Sequence, residues 1–483
     1  MTTDQPTDQP TDRPSPDAPS GTDDGALAHG TGRWDVFRGG LGSTTAGILL
    51  VITAVAFEGM GVGTAMPEVM ADIGTLETYA WPFVAFLASS VLATVLGGRW
   101  ADARGPSGPL VAGVTTFAAG LVAAGTAAAL PQLLVGRALQ GLGAGALTVA
   151  IFVLVARVYP PQLRPAVFGW TATAWVLPSL LGPPAAAYVT ETWSWHWVFL
   201  GIAPIAVVAL VMMARVLRRA GSGAPHDQGD RERRSTRRLV LAAPGAAVGV
   251  AALSWAGERP GTAVLPVVLV AFAVLVPSLL QLVPRGTLLA RRGVASTVLA
   301  RGLLAGGFFA TNSFLPLMLN RLHGWTLTEA GAVLIAGSLG WSAASTWQGG
   351  RPHIPRHRLL WIAFGLLACG ILLVVPVTLG WVHPGLAFPA QAVAGFGMGL
   401  GMPAVSLLVM THSGPGEVGF NTAAAQILDG LGTALLIGVG GALTAVLGLR
   451  SGLTALYLGL VVMLVVGSSV APRSALPAPA ADR

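Results

Sequence analysis

Apolar runs of about twenty residues, the length that crosses a bilayer as a helix, follow one another from residue 44 to residue 470, and arginines fill the gaps between them. This pattern leaves few ways to fold. Lipid offers no partner to a backbone N–H or C=O, so each segment must satisfy its own backbone and helices are expected rather than open strands. The runs predict helices over 44–70, 78–98, 108–130, 132–156, 166–190 and 195–217, then 238–256 and 263–283. Six more are predicted over 293–318, 326–348, 358–380, 385–410, 419–447 and 451–470. Only 10% of the chain is charged and 53% is hydrophobic, whereas a water-soluble domain carries roughly a quarter charged residues. The expected class is an all-α polytopic membrane protein embedded in a lipid bilayer.

Arginine placement orients the helices, because cytoplasmic loops are enriched in basic residues. With the N-terminus inside, the inner loops hold Arg99 with Arg104, Arg157 with Arg164, and a cluster from Arg215 to Arg238. They also hold Arg285, Arg291 and Arg292, then Arg351, Arg356 and Arg358. The opposite loops hold only Arg259, Arg321 and Arg450. The alternation fits fourteen spans in an inner membrane with both termini cytoplasmic. Residues 1–43 are rich in Pro, Asp, Thr and Gly and read as a disordered tail. They lack a short apolar core with a small-residue cleavage site, so no cleaved signal peptide is expected. Residues 219–237 form a cytoplasmic loop and 471–483 a cytoplasmic tail in this reading.

Several functions are disfavoured by the same residues. The net charge is +7, and all 28 basic residues are arginine. They lie between apolar runs rather than on one soluble face, which argues against nucleic acid. Without lysine there is no Gly-x-x-x-x-Gly-Lys-Ser/Thr loop to cradle a nucleotide. Cys369 is the only cysteine, and no Cys/His group has metal-ligand spacing, so no metal site or cofactor is expected. No nucleophile–base constellation suggests an enzyme.

The chain also repeats. A shift of 254 residues moves the first six predicted helix starts close to the last six. It lays Gly141, Gly143 and Gly145 on Gly395, Gly397 and Gly399. Two six-helix bundles, 44–218 and 284–470, are expected to be related by pseudo-symmetry, as in many transporters. The pair 238–283 fits neither and reads as two inserted central helices.

Segment 98–105, Gly-Arg-Trp-Ala-Asp-Ala-Arg-Gly, resembles the signature loop of the major facilitator superfamily. Asp102 and Arg104 match the pair that the family uses as a charge clamp; otherwise the segment is an ordinary turn. Arg137, Gln140, Gly141 and Gly143 resemble the family's second signature, whose intramembrane arginine is tied to proton movement. Arg137 also lies near enough to a helix end to snorkel. Pro178, Gly182, Pro183 and Pro184 resemble the antiporter signature, although Pro178, Ala186 and Ala187 replace expected glycines. Proline breaks a helical hydrogen bond, so a hinge is expected here. Trp193 to Phe199 also looks like the family, with His196 as a polar anchor. With the fourteen-span count, the resemblance points to the drug:proton antiporter branch, and a monomer is expected.

Acids inside spans are expensive and usually functional. Glu58 sits midway along the first helix. Burial favours the neutral form of a carboxyl, so an acid at this depth can take a proton on one side and release it on the other once exposed. Glu58 could also attract a cationic substrate, or be a structural acid bonded to a neighbouring helix. The shift lays Glu58 on Asn312. Arg301, three turns earlier on nearly the same face, either joins that site or anchors the helix end. Thr422, Gln426, Asp429 and Thr433 make one polar stripe on the thirteenth helix, with Asp429 a second candidate proton carrier. Glu329 is expected at a helix N-terminus.

These readings predict a proton-coupled secondary transporter that exports small lipophilic or cationic compounds by alternating access. Glu58, Asp429 and Arg137 are the expected proton-coupling residues. Glu58, Asn312, Gln426 and Thr433 are expected to meet substrate. Asp102, Arg104, Pro178, Gly182 and Pro183 are expected to serve conformational switching. A metabolite exporter or proton-coupled uptake symporter of the same superfamily is the alternative.

Overall fold

The computed structural model describes residues 34–38, 41–160, 163–219, 230–257, 265–349, 351, 354–414 and 417–475. Most of the expected tail 1–43, much of the loop 219–237 and the end of the C-terminal tail lie outside these residues. Among the described residues the regular structure is wholly helical.

The first group holds α1 (Gly42–Ile73), α2 (Trp81–Arg104), α3 (Ser107–Gly125), α4 (Leu130–Val158), α5 (Arg164–Thr192), α6 (His196–Leu200) and α7 (Ala203–Arg219). The hairpin α8 (Asp230–Gly257) and α9 (Leu265–Leu282) follows. The last group holds α10 (Val294–His323), α11 (Leu327–Gly349), α12 (Arg356–Leu379), α13 (Ala387–His412), α14 (Val418–Leu447) and α15 (Leu449–Ser468). Two boundaries differ from expectation. The sixth run is broken at Gly201–Ile202 into α6 and α7, next to Pro204, whose ring cannot supply an N–H to the preceding turn. Helix α8 starts at Asp230, inside the expected loop, because an Arg- and Glu-rich stretch is a good helix former outside lipid.

Among the described residues, eleven segments, with α6 and α7 counted together, are long and apolar enough to cross a bilayer. Helices α5, α8 and α11 fall outside that set. Prolines and threonines dilute α5, arginines open α8, and serines and glycines run through α11. All three face other helices: α5 packs on α1 and α11, α8 on α2 and α14, and α11 on α13. Apolar side chains instead line the outside, including Val208 and Val211 of α7, Leu269 of α9, and Val462 and Val466 of α15. An exposed belt of this kind is suited to lipid rather than water.

Packing follows one scheme in both groups. Helices α2 and α3 flank α4, and α1 lies on α5 and α7; likewise α11 and α12 flank α13, and α10 lies on α14 and α15. Small residues let the backbones approach. A Cβ on Gly143 would lie 2.6 Å from Gly113 O, and one on Gly397 would lie 2.9 Å from Ala363 O. A Cβ on Gly120 would reach Gly136 O, and one on Gly370 would reach Ala390 O, at 2.7 Å each.

The two groups meet through α5 on α11, α2 on α14 and α1 on α10. Tyr79, in the turn after α1, donates from its hydroxyl to Ser313 O at 2.9 Å and packs its ring on Phe314. The Glu191 carboxylate accepts from Thr328 N at 3.1 Å and Thr328 Oγ1 at 2.6 Å. Gly441 leaves only 2.6 Å between a would-be Cβ and Ala80 Cβ. These contacts lie at the end of the molecule that carries the turns after α1, α5 and α10. The α8–α9 hairpin spans the seam, resting on α2 of one group and α14 of the other.

Candidate functional site

Helix α1 delivers Glu58 to the interior, where it is fully buried. Arg137, on α4 and 3% exposed, donates from Nη1 to Glu58 Oε1. The same nitrogen donates to Gln140 Oε1 at 2.5 Å, and Nε donates to Pro82 O at 3.2 Å. The guanidinium also sits 4.6 Å from the centroid of the Phe86 ring, a favourable placement for a cation over an aromatic face. Gln140 Nε2 donates onward to Gly120 O at 3.2 Å. Arg137 therefore does not snorkel; it is held inward by four groups. Glu58 Oε2 has no hydrogen-bond partner. On the same helix a Cβ at Gly59 or Gly63 would meet nothing within 4 Å, so free space adjoins α1 at this depth.

A neutral pair joins two helices of the second group. Gln391 of α13 donates from Nε2 to Asn312 Oδ1 of α10. A shift of 254 turns position 58 into 312 and position 137 into 391, so the numbering of the charged pair in one group maps onto that of an amide pair in the other. Sequence reasoning reached Asn312 and missed Gln391; applying the same shift to Arg137 would have found it.

A second ion pair lies nearer the opposite end. Arg301 of α10 donates from Nε to Asp429 Oδ2 of α14 at 3.2 Å, and its Nη2 also lies 3.2 Å from that oxygen. Nη2 also reaches Gln426 Oε1 at 2.5 Å, and Nη1 reaches Ser406 Oγ of α13 at 3.4 Å. The pair is partly open, with side chains 14% and 18% exposed. Arg301 thus joins the Gln426–Asp429 stripe rather than Asn312, from which eleven residues, about 16 Å of helix rise, separate it. Thr433, farther along the stripe, is buried with its hydroxyl unpartnered, and Thr422 is exposed.

The α5 prolines do not interrupt the helix. Each removes the N–H that would bond to the carbonyl four residues earlier. Pro178 so releases Ala174 O, which accepts from Thr53 Oγ1 of α1 at 3.3 Å. Pro183 releases Ser179 O, which accepts from Ser338 Oγ of α11 at 3.1 Å. Pro403 of α13 does the same for Gly399 O, which accepts from Gln348 Nε2 at 2.7 Å and Ser345 Oγ at 3.1 Å. Gly182 meets Met60 Cβ of α1 at 3.3 Å, and Pro183 O meets Gly331 of α11 at 3.2 Å, each measured from an ideal Cβ on the glycine. The proline segment is therefore stitched to α1 of its own group and to α11 of the other.

Arg104 ends α2 and is exposed, and Gly105 caps the helix with φ of 86°; the Asp102 side chain lies outside the described residues. His196 bonds Ser194 Oγ through Nδ1 at 2.7 Å and stacks on Trp195. Glu329 accepts from Thr326 N at 2.9 Å while Thr326 Oγ1 accepts from Glu329 N at 3.2 Å, a reciprocal cap at the start of α11.

Comparison with known proteins agrees with this architecture. The Major Facilitator Superfamily model matches residues 48–437. Multidrug resistance protein 3 of Bacillus subtilis (strain 168) is 32% identical over 169 residues, covering 35% of this chain and 33% of that protein. Multidrug transporter protein MdtP of the same strain is 24% identical over 422 residues, covering 84% of this chain and 75% of that protein. The crystal structure of a POT family transporter in complex with a thioalcohol-conjugated peptide shares the fold, with a TM-score of 0.69 at 15% identity over 89% of this chain and 96% of that one. By its helical architecture and the family match across most of its length, the chain is a multi-pass membrane protein of the major facilitator superfamily.

Proposed function

We propose that the protein is a proton-coupled exporter of small lipophilic or cationic compounds, of the fourteen-span antiporter branch, working as a monomer in the inner membrane with both termini cytoplasmic. In this reading α1–α7 and α10–α15 are pseudo-symmetric bundles and α8–α9 the inserted pair. The contacts at Tyr79, Glu191 and Gly441 then close the outer side. Resemblance to multidrug transporters supports the cargo class.

The observation that carries the proposal is the buried Glu58–Arg137 pair set where the second bundle has Asn312 and Gln391. Protonation of Glu58 would remove its charge and leave Arg137 with the neutral groups Gln140, Pro82 O and the Phe86 face, which keep it in place. Asp429 has the same arrangement on Arg301, which keeps Gln426 and Ser406. Each protonation then leaves an arginine held by neutral groups alone, a cost of about 3–5 kcal/mol where the cation is buried, which opposes protonation in the closed state and ties it to opening of the bundles. Gln426 and Thr433, on the stripe with Asp429, and Asn312 of the amide pair are the proposed polar contacts of substrate. Asp102, Arg104 and the Pro178–Gly182–Pro183 segment serve the rocking of one bundle against the other.

Growth of expressing cells on a panel of toxic cations, with and without an uncoupler, tests the reading. Protection that the uncoupler abolishes, and that Glu58→Gln or Asp429→Asn removes at unchanged protein level, is expected. Full protection by both variants would remove the assignment. Cation accumulation rather than loss would support an uptake symporter instead.

A further inference from the structure

The geometry points to a binding site for a primary ammonium group in a pocket of about 400 Å³ between the ends of α1 and α5 and the 193–195 turn, away from both ion pairs. Glu68 and Asp72 project into it from α1. They are four residues apart, so they share a helix face, where two like charges destabilise the helix unless a cation lies between them. Neither pairs with a cation among the described residues. Asp72 Oδ2 accepts from Trp195 Nε1 at 2.9 Å, which fixes one indole as a wall. Trp193, 71% exposed, stands at the mouth. Indole faces attract cations, and organic ammonium groups are a common occupant of such walls.

The floor supplies the second, independent observation. Thr190 lines the pocket and is 7% exposed, yet its hydroxyl has no hydrogen-bond partner. A threonine inside a helix usually bonds back to the carbonyl one turn earlier, as nearby Thr192 does to Tyr188 O. Thr190 leaves that option unused, and a buried hydroxyl without a partner is costly. An N–H of a bound ammonium group would satisfy it while the carboxylates meet the charge. A quaternary ammonium has no N–H to give. A metal ion is a poor fit, since no group of three or more His, Cys, Asp or Glu side chains capable of holding one occurs among the described residues.

Two sources carry this chemistry: a soluble amine, and the headgroup of phosphatidylethanolamine at the membrane surface. Saturation-transfer NMR on the full-length protein in phosphatidylcholine nanodiscs, with ethanolamine and choline as probes, measures the site directly. Saturable ethanolamine binding is expected, with choline weaker. Glu68→Gln with Asp72→Asn should weaken ethanolamine roughly tenfold, since each exposed charge contributes a few-fold. Thr190→Val, which keeps both charges, should weaken it severalfold, and Glu77→Gln, an exposed acid outside the pocket, should leave it unchanged. Native mass spectrometry then separates the sources. Phosphatidylethanolamine retained by the parent and lost from the double variant identifies the lipid, and ethanolamine binding without retained lipid identifies a soluble amine. Ethanolamine binding equal in parent and Thr190→Val, or choline binding as well as ethanolamine, overturns the site.

Discussion

The buried ion pair and its neutral counterpart make a quantitative prediction. Arg137→Gln strips the cation from a fully buried Glu58, and Glu58→Asn strips the anion from an Arg137 that is 3% exposed. Removing one member of a buried pair costs about 3–5 kcal/mol. Combining the two substitutions leaves an Asn–Gln pair, the one that the second group already holds at 312 and 391. Both charges are then gone, and the remaining cost is the packing lost by the shorter side chains, about 1–2 kcal/mol. The double variant should therefore be more stable than either single one, and its loss should fall short of the summed single losses by at least about 3 kcal/mol. Reversible denaturant unfolding in detergent micelles, followed by circular dichroism, gives all four corners of the cycle. Additive losses, or an Arg137→Gln variant as stable as the parent, would refute the view that this pair is electrostatically coupled. The double variant should fold and yet fail to couple protons to transport.

Three further outcomes are expected. Ser338→Ala should cost about 1–2 kcal/mol, the penalty for a buried carbonyl left short of a donor, and almost nothing in a Pro183→Ala background, where residue 183 can donate to Ser179 O; equal losses in both backgrounds would contradict the role given to Pro183. Tyr79→Phe keeps the ring on Phe314 and loses only the bond to Ser313 O, so a maleimide should label Ala80→Cys about fivefold faster in a Cys369→Ser background. Gly143→Leu would drive a side chain into the α3 backbone at Phe117 and Gly113 and should abolish folded protein, whereas Gly365→Ala, where a Cβ meets nothing within 4 Å, should be tolerated; both are read by size-exclusion profile.

Much of this molecule is legible in the chain, because lipid narrows the choices that a backbone has. Long apolar runs have to be helices, and the described helices follow the predicted runs. The glycines at 141, 143 and 145 sit where only the smallest residue allows α4 to touch α2 and α3. Glu58 and Asp429 stood out because an acid in an apolar run is rare. Their partners were less visible. Arg301 reads equally well as an anchor near a helix end, and Arg137 lies near enough to one to snorkel; only the packing of α1 on α4 and α10 on α14 decides that both turn inward. Gln391 carries no charge and so raised no signal except through the repeat. The donors to the proline-released carbonyls, Thr53, Ser338 and Gln348, lie on other helices and follow from crossing positions that periodicity does not encode. The pocket at Thr190 depends on a turn, where hydropathy says little.

The central claim is that the charge on these buried acids governs export. Purified protein in liposomes that are acid inside, with the fluorescent cation ethidium supplied outside so that proton exit drives its entry, tests it most directly when proton flux and ethidium flux are recorded together. The parent should move ethidium against its gradient while consuming the pH gradient, and the combined Glu58→Gln and Asp429→Asn variant should bind ethidium yet exchange it without proton flux. Ethidium pumping by that combined variant at the parent's rate, with the pH gradient still consumed, would contradict the account.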